Sequence, residues 1–344
     1  MSLDLALEQI QQPSAQYDLG LVSSLIDDLL DPEIEAEKKE NFLKLQTEKG
    51  ESSEELAAFA KAILPKAVEL KVKGSWQGKS LLDCCGTGGG GLDMVNISTG
   101  SMFLIAAAGV PVAKHGNKGV TKKSGSSNVL EALGIKIQAT PDDLEIALER
   151  TGMTFIFAPA FHPAFKHLAP IRQSLAAKGH RTIFNLLGPL LNPVEPEAQI
   201  IGVFKEQYLE LFYQALSITQ CARYLVLHGV SHEGSSLGEL SAYGSNCLSG
   251  KLAGEHSSMR FDTARTQGSL NSLLISSAEE SAKRIVAVLE RRENGLLREM
   301  LILNAAAGLW AQGNAESLEE GIEQATESLE NGEAFNRLKK WQSI

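Results

Sequence analysis

Five glycines stand within six positions at residues 86–91, GTGGGG, directly after the apolar run LLDCC. Glycine costs backbone entropy, so such a run is expected where the chain takes positive φ or where a ligand approaches the backbone closely. A strand that ends in such a loop presents unpaired N–H groups to an anion. The spacing matches neither the GxGxxG dinucleotide fingerprint nor the GxxxxGKS/T P-loop, so another phosphate ligand is indicated. Asn96, Ser98 and Thr99 add amide and hydroxyl groups at the start of a helix predicted over 98–108, whose dipole also favours phosphate.

A second polar segment, KHGNKGVTKKSGSS at residues 114–127, follows the predicted strand VPVAKH. It concentrates lysines, one histidine, one asparagine and several hydroxyl side chains: Lys114, Lys118, Lys122, Lys123, His115, Asn117, Thr121, Ser124, Ser126 and Ser127. In a chain with a formal net charge of −10, a tight cluster of cations and hydroxyl donors suits a multiply charged diphosphate. A solvated surface loop is the alternative interpretation.

A third segment, residues 161–193, mixes His162, Arg172, Arg181 and Asn185 with prolines and apolar residues. An arginine in an aromatic, apolar environment is suited to pair with the carboxylate of a planar acid. Taken alone, each histidine of this segment is better explained as structural than as catalytic.

The elements that must position these segments begin with helices. Residues 1 to about 73 show apolar side chains at helical spacing and no strand pattern. The clearest helix begins at SSEE, where Ser52 caps the first turn and Glu55 reaches back to it, and Pro65 is expected to kink this helix. A polar link at 71–80 follows.

From Leu81 onward, short apolar runs alternate with helical stretches. Strands are predicted at LLDCC, VPVAKH, 153–159, 198–204 and 223–229, with helices at 98–108, 124–133 and 206–218. This alternation is typical of an α/β domain with a largely parallel sheet. The tail returns to helix over 278–292, 294–311 and 316–330, the last with a capping box of Ser317 and Glu320.

The composition excludes some classes of function. A net charge of −10 argues against a general nucleic-acid binder, because such proteins neutralise phosphates with Lys and Arg. The four cysteines include the adjacent pair Cys84 and Cys85, which suits neither a disulfide nor a CxxC metal site. There is no signal-like start, and the longest apolar stretch, 103–110, is too short to span a membrane. A cytoplasmic protein with no membrane partner is expected.

Taken together, the three segments resemble the anthranilate phosphoribosyltransferase family of the tryptophan pathway. The motif GTGG stands at 86–89, NIST at 96–99 and KHGN at 114–117, and the likeness extends from residue 49 to residue 325. The resemblance implies a glycosyltransferase that moves phosphoribose from 5-phosphoribosyl 1-diphosphate to anthranilate, releases pyrophosphate and uses Mg²⁺. It also implies a nucleoside phosphorylase/phosphoribosyltransferase-like fold, in which a small all-helical domain precedes a larger α/β domain with a mostly parallel sheet. We expect boundaries at 1–73, joined by part of 163–190, and at 80–344, and a homodimer formed through the helical domain.

The resemblance assigns roles to individual residues. The donor-binding set it implies is Gly86, Gly89, Gly90, Asn96, Ser98, Thr99, Lys114, His115, Gly116, Asn117, Lys118, Lys122 and Ser126. The acceptor-binding set is Gly86, Asn117 and Arg172, and the magnesium ligands are Ser98 and Glu239.

The sequence also departs from the family pattern. Gly90 replaces an aspartate of GTGGDG, Met94 replaces a threonine, and Lys118 and Lys122 replace an arginine and a serine. In the acidic pair expected after the strand 223–229, Gly238 stands where aspartate belongs, whereas the glutamate is kept.

Metal binding is the function that these changes affect most. Magnesium needs hard oxygen ligands, so Glu239 or the nearby Glu233 is left to hold it. We hypothesise that Lys122 places fixed positive charge near the diphosphate and reduces the dependence on metal. Activity that survives EDTA would support this, and complete loss would contradict it.

Two other classes of function stay open at this level. One is a paralogue that uses another amine or base as acceptor, or a nucleoside phosphorylase relative. The other is a non-catalytic regulator that binds a nucleotide or nucleic acid. The sequence does not decide the acceptor, the number of metals, the oligomeric state or whether turnover survives the loss of the two aspartates.

Overall fold

The computed structural model of the chain describes residues 2–10, 18–88, 90–119 and 124–344. Its N-terminal part is helical, as predicted, with α1 Ser2–Ile10, α2 Val22–Leu30, α3 Ala36–Lys49 and α4 Ser53–Ile63. The capping box of α4 is confirmed, since Glu55 N donates to Ser52 Oγ at 3.2 Å and Ser52 N donates to Glu55 Oε2 at 3.0 Å. Pro65 does not kink this helix, because α4 ends at Ile63 and Pro65 lies in the following 3-10 turn.

In the described ranges the main sheet has seven strands. A short hairpin, β1 Ser75–Trp76 and β2 Lys79–Ser80, precedes it. The strands are β3 Leu82–Gly86, β4 Val112–Gly116, β5 Met153–Phe157, β6 Ala198–Gly202, β7 Arg223–Ser231, β8 Tyr243–Leu252 and β9 Glu255–Ala264. Their order is β5-β4-β3-β6-β7-β8-β9, and the first five are parallel. The mostly parallel α/β sheet is thus confirmed, and the antiparallel ribbon β8–β9 is an addition that the sequence did not predict.

Helices connect and cover these strands. They are α5 Ile97–Ala107, α6 Ser126–Ala132, α7 Pro141–Thr151, α8 Ala158–Phe161, α9 Ala169–Ala177, α10 Phe184–Leu187, α11 Tyr208–Ile218, α12 Ala278–Leu289, α13 Leu296–Gln312, α14 Leu318–Glu330 and α15 Glu333–Gln342. Ser317 caps α14, as predicted, but the Glu320 carboxylate accepts from Glu316 N instead of closing the box. No helix in the described part of the chain is long and apolar enough to cross a membrane.

Two large apolar cores lie on opposite faces of the sheet, and a smaller third cluster includes Ala113 of β4 and Ile156 of β5. Successive strand residues point to opposite faces, so Ile200 and Leu225 enter one core and Ile201 and Val226 enter the other. The first core contains α5, α13 and α14, and α13 is buried on nearly all sides. The second contains the N-terminal helices, α11 and the 168–191 segment. This packing agrees with the expectation that part of 163–190 joins the helical region, and the domain boundaries themselves stay a prediction.

Candidate active site

A cavity of about 330 Å³ opens at the carboxyl ends of the parallel strands. The chain runs from β3 outward through β4 to β5, and then returns to place β6 on the other side of β3. Open α/β sheets bind ligands at such a switch point, where two neighbouring strands lead their connections in opposite directions. Gly86 at the end of β3 and Gly202 at the end of β6 both line the cavity.

The glycine-rich loop forms one wall of this cavity. Thr87 N donates to Gly202 O at 2.9 Å, and Gly88 and Gly91 have φ values of +65° and +73°, which glycine adopts without strain. Gly90 differs, because a Cβ built on it would lie 3.8 Å from Phe204 Cβ, an ordinary contact. The backbone therefore does not require glycine at 90, and an aspartate Cβ fits there. Gly89 lies outside the described residues.

The buried ammonium of Lys114 links the first and second polar segments. Lys114 is 1% exposed, and its Nζ donates to Cys84 O and, at 3.2 Å, to Ser98 Oγ. Burial lowers the pKa of Lys114, but its electrostatic interactions with Cys84 and Cys85, and then with the carboxylates of Asp83 and Glu239, raise it, and the net direction is upward. The cavity therefore holds a fixed positive charge beside the start of α5.

Buried hydrogen bonds connect the Asp83 carboxylate to the neighbouring strand β4 and to Asn192. Asp83 is fully buried, and it accepts from His115 N at 3.1 Å and from Asn192 Nδ2 at 2.9 Å. Burial raises the pKa of Asp83 to about 6, while Lys114 and these two donors act in the opposite direction. At neutral pH the aspartate is ionised opposite the lysine.

Two neutral histidines line the cavity. His115 Nδ1 lies 3.0 Å from Gly188 O, and His162 Nε2 lies 2.7 Å from Leu191 O. A carbonyl only accepts, so each of these nitrogens carries the proton and the other nitrogen of each ring carries a lone pair. Burial lowers the pKa of His115 to about 3 and also lowers the pKa of His162. The rings stand edge to face with their centroids 5.5 Å apart.

The opposite part of the cavity is aromatic. Phe165 stacks on His162 with centroids 5.5 Å apart and meets Phe184 edge to face at 5.7 Å. The Arg172 guanidinium lies 5.8 Å from the Phe184 ring, and burial lowers its pKa. Among the described residues no carboxylate pairs with Arg172. The site thus holds a partly buried cation that lacks an anion.

Residues 238 and 239, at the position of the family's acidic pair, follow β7 and line the cavity. Gly238 has φ +69°, and its carbonyl oxygen packs so closely on β6 that a Cβ on Gly202 would lie 1.9 Å from it. Glu239 is the one carboxylate among the cavity-lining residues that the structure describes. Glu233 does not line the cavity, and its carboxylate accepts from Leu270 N at 2.9 Å, so the structure does not support Glu233 as an alternative ligand.

Most of the residues singled out from the sequence meet in this one cavity. The lining includes Gly86, Gly90, Asn96, Ser98, Lys114, His115, Gly116, Asn117, Lys118, Ser126, Arg172 and Glu239. Thr99 does not line it, because its side chain is fully buried at the start of α5. Lys122 lies outside the described residues, and Arg181 and Asn185 are not part of the lining. The roles assigned to these residues stay predictions.

Other cavity residues lie outside the donor, acceptor and metal sets that the resemblance implies. They are Cys85, Ser124, His162, Phe165, Phe184, Gly202 and Phe204, among others. Gly202 had a usable signal, since a glycine inside an apolar strand suggests a close backbone approach. The phenylalanines had none, because an aromatic residue in an apolar segment is most simply explained as core.

Comparison with known proteins places these features in context. Residues 78–335 match the glycosyl transferase family, a/b domain. The chain is 38% identical over 293 residues to the anthranilate phosphoribosyltransferase of Natronomonas pharaonis, covering 84% of each chain. The crystal structure of anthranilate phosphoribosyltransferase from Thermus thermophilus superposes with a TM-score of 0.87 at 34% identity, covering 99% of this chain and 98% of that one. The Saccharomyces cerevisiae enzyme in complex with PRPP and Mg shares the fold, with a TM-score of 0.85 at 22% identity over 99% and 97% of the two chains.

Proposed function

The chain belongs to the anthranilate phosphoribosyltransferase family, and from this membership we propose that it transfers phosphoribose from 5-phosphoribosyl 1-diphosphate to anthranilate and releases pyrophosphate. One observation carries the proposal. Arg172, a cation with no carboxylate partner among the described residues, lies in the aromatic part of the cavity that also contains the glycine loop and Lys114. A single cavity therefore offers complementary surfaces to an aromatic acid and to a diphosphate.

The donor is matched by charge and by N–H groups. Lys114 and Lys118 supply positive charge, the start of α5 supplies unpaired N–H groups, and Ser98 supplies a hydroxyl. Glycine has no side chain, so phosphate oxygens can approach the backbone of the loop closely. This half of the cavity stabilises the charge that accumulates on the departing pyrophosphate.

The acceptor is matched by shape and by one charge. Phe165 and Phe184 provide apolar contact for an aromatic ring, and Arg172 pairs with its carboxylate. An aromatic amine is weakly basic and needs no strong general base, so binding next to ribose C1 is sufficient. The neutral state of His115 and His162 agrees with this chemistry, because neither ring adds positive charge beside a transition state with oxocarbenium character.

Magnesium fits this cavity when the diphosphate provides most of its ligands. The described residues contain no cluster of three or more metal-binding side chains, and Ser98 and Glu239 are the oxygen ligands that we assign to it. Bound there, the ion would neutralise diphosphate charge. This role is proposed by analogy with the yeast relative named above, whose structure contains PRPP and Mg.

We also propose that the chain forms a homodimer through its N-terminal helices and works in the cytoplasm of the cell. The four cysteines are all free, which agrees with a reducing compartment. Analytical ultracentrifugation would give twice the 37.0 kDa chain mass for the dimer and the single chain mass if the proposal is wrong.

The decisive experiment is a calorimetric titration with 5-phosphoribosyl 1-diphosphate, with and without Mg²⁺, followed by an assay of anthranilate fluorescence. Saturable binding and loss of anthranilate fluorescence are expected. The absence of donor binding at millimolar concentration would overturn the enzymatic proposal. Donor binding without turnover of anthranilate would point to another acceptor, which a screen of amines and bases for pyrophosphate release would identify, or to a regulatory protein.

A further inference from the structure

Asn96 is held by two serine hydroxyls from distant parts of the chain. Its backbone N–H donates to Ser281 Oγ at 3.1 Å. Its side-chain Oδ1 accepts from Ser124 Oγ at 2.9 Å and, over a longer 3.4 Å, from Ser281 Oγ. Ser124 lies in the second polar segment, whereas Ser281 lies in α12 and is 185 positions after Asn96. The two hydroxyls therefore fix both the main chain and the side chain of Asn96.

These contacts decide which end of the Asn96 amide faces the cavity. In the described part of the chain, Asn96 Oδ1 is the acceptor for both hydroxyl protons, so the amide oxygen is already engaged. Asn96 lines the cavity, and no described residue accepts from its Nδ2. An amide nitrogen carries two donor hydrogens. Asn96 therefore presents a hydrogen-bond donor, and not an acceptor, to a ligand rich in anionic oxygens.

Ser281 is fully buried and does not line the cavity, so it has no direct contact with a ligand. We propose that Ser281 is a positioning residue for the phosphoribosyl donor, which it affects through the Asn96 amide. Ser124 holds the same amide from the opposite side. The inference rests on the function proposed above, because it takes the donor to be the ligand of Asn96. It adds a residue of α12, a helix that contributes no residue to the cavity lining that the structure describes.

Substitution of Ser281 by alanine provides the test. The Ser281→Ala chain should bind 5-phosphoribosyl 1-diphosphate roughly 3- to 10-fold more weakly in calorimetry, the effect of losing one neutral hydrogen bond. The donor KM should rise by the same factor, and the acceptor KM should stay within about twofold of its wild-type value. Ser124→Ala, which removes the other hydroxyl, should weaken donor binding in the same way.

A matched control distinguishes a specific effect on the position of Asn96 from a general loss of stability. Ser328 is also a buried helical serine, and its Oγ donates to Leu104 O at 3.1 Å, but it does not line the cavity. Ser328→Ala should lower the thermal midpoint about as much as Ser281→Ala and leave the donor KM unchanged. In an Asn96→Ala background, Ser281→Ala should change the donor KM by less than about twofold, because the side-chain amide through which Ser281 acts on the donor is absent.

Three results would overturn the inference: unchanged donor affinity in both serine variants, the full Ser281 effect in the Asn96→Ala background, or an equal rise in donor KM for Ser328→Ala. Failure of the proposed function gives a different result. In that case the wild-type chain itself does not bind 5-phosphoribosyl 1-diphosphate, and the inference falls with it.

Discussion

Replacement of Arg172 by methionine tests whether its guanidinium pairs with the acceptor carboxylate. Methionine keeps the apolar contact with Phe184, and it removes the cation that lies next to this ring in the cavity. Truncation of one partner of a desolvated charge pair costs roughly 2–5 kcal/mol. Arg172 is only partly buried, so a cost of about 3 kcal/mol is appropriate, which is about a 100-fold loss at roughly 1.4 kcal/mol per factor of ten.

The assay measures pyrophosphate release with anthranilate and with aniline, which lacks the carboxylate. With anthranilate, Arg172→Met should lose about 100-fold in kcat/KM, and with aniline it should stay within about threefold of the wild type. With anthranilate, the kcat/KM of Arg172→Lys should lie between those of the wild type and Arg172→Met, because an ammonium keeps the charge but not the bidentate geometry. Arg181→Met is the matched control, since Arg181 packs on Phe204 with its guanidinium carbon 4.5 Å from the ring but does not line the cavity. Equal losses with both amines would refute the carboxylate pairing.

Three further predictions follow from the same geometry. Asp83→Asn should lower the free energy of unfolding by about 3 kcal/mol at pH 8, because it leaves Lys114 buried without the Asp83 carboxylate and sets an amide N–H₂ against one of two donors, His115 N or Asn192 Nδ2. Urea denaturation would show this loss, whereas the exposed Asp142→Asn should cost less than about 1 kcal/mol. Because the pKa of His115 lies at about 3, below its ordinary value, the ring stays neutral from pH 6 to 9. An inflection of kcat/KM near pH 6, where the pKa of Asp83 lies, should therefore persist in a His115 variant. An inflection that disappears in a His115 variant would contradict the neutral assignment. Glu239→Gln should raise the Mg²⁺ concentration for half-maximal activity by roughly tenfold, and an unchanged Mg²⁺ titration would exclude Glu239 as a ligand.

The elements best predicted from the sequence are those with a strong local cause. The strands at 153–157 and 198–202 are buried on both faces, so they appear as continuous apolar runs. The ribbon β8–β9 was missed because β9 is largely exposed and its residues, EHSSMRFDTA, show little apolar patterning. Its turn uses Ala253 at φ +47° beside Gly254, and alanine does not signal positive φ. Helix α7 was not predicted either, although the sequence contains a signal for it, because Thr140 and Asp143 form a capping box around Pro141.

The residues of the candidate site also fall into those that the sequence predicts and those that it does not. Its polar residues were predictable because they stand close together in two segments, where cations and glycines have few structural explanations. The aromatic wall of Phe165, Phe184 and Phe204 was not, because tertiary packing alone brings these rings together. At Gly238 the sequence indicates a missing carboxylate, and the structure adds a backbone reason to keep a residue that tolerates φ +69°.

The hydrogen bond from Asn96 to Ser281 also has a consequence for the order of synthesis. Every cavity-lining residue that the structure describes has been synthesised once residue 239 is added, yet the residue that holds Asn96 is added more than forty positions later. Contacts of such long sequence separation form late in folding. A nascent chain that already carries the first and second polar segments should therefore not bind the donor with full affinity until α12 docks. Donor affinity during refolding thus reports completion of the C-terminal helices, although none of them lines the cavity.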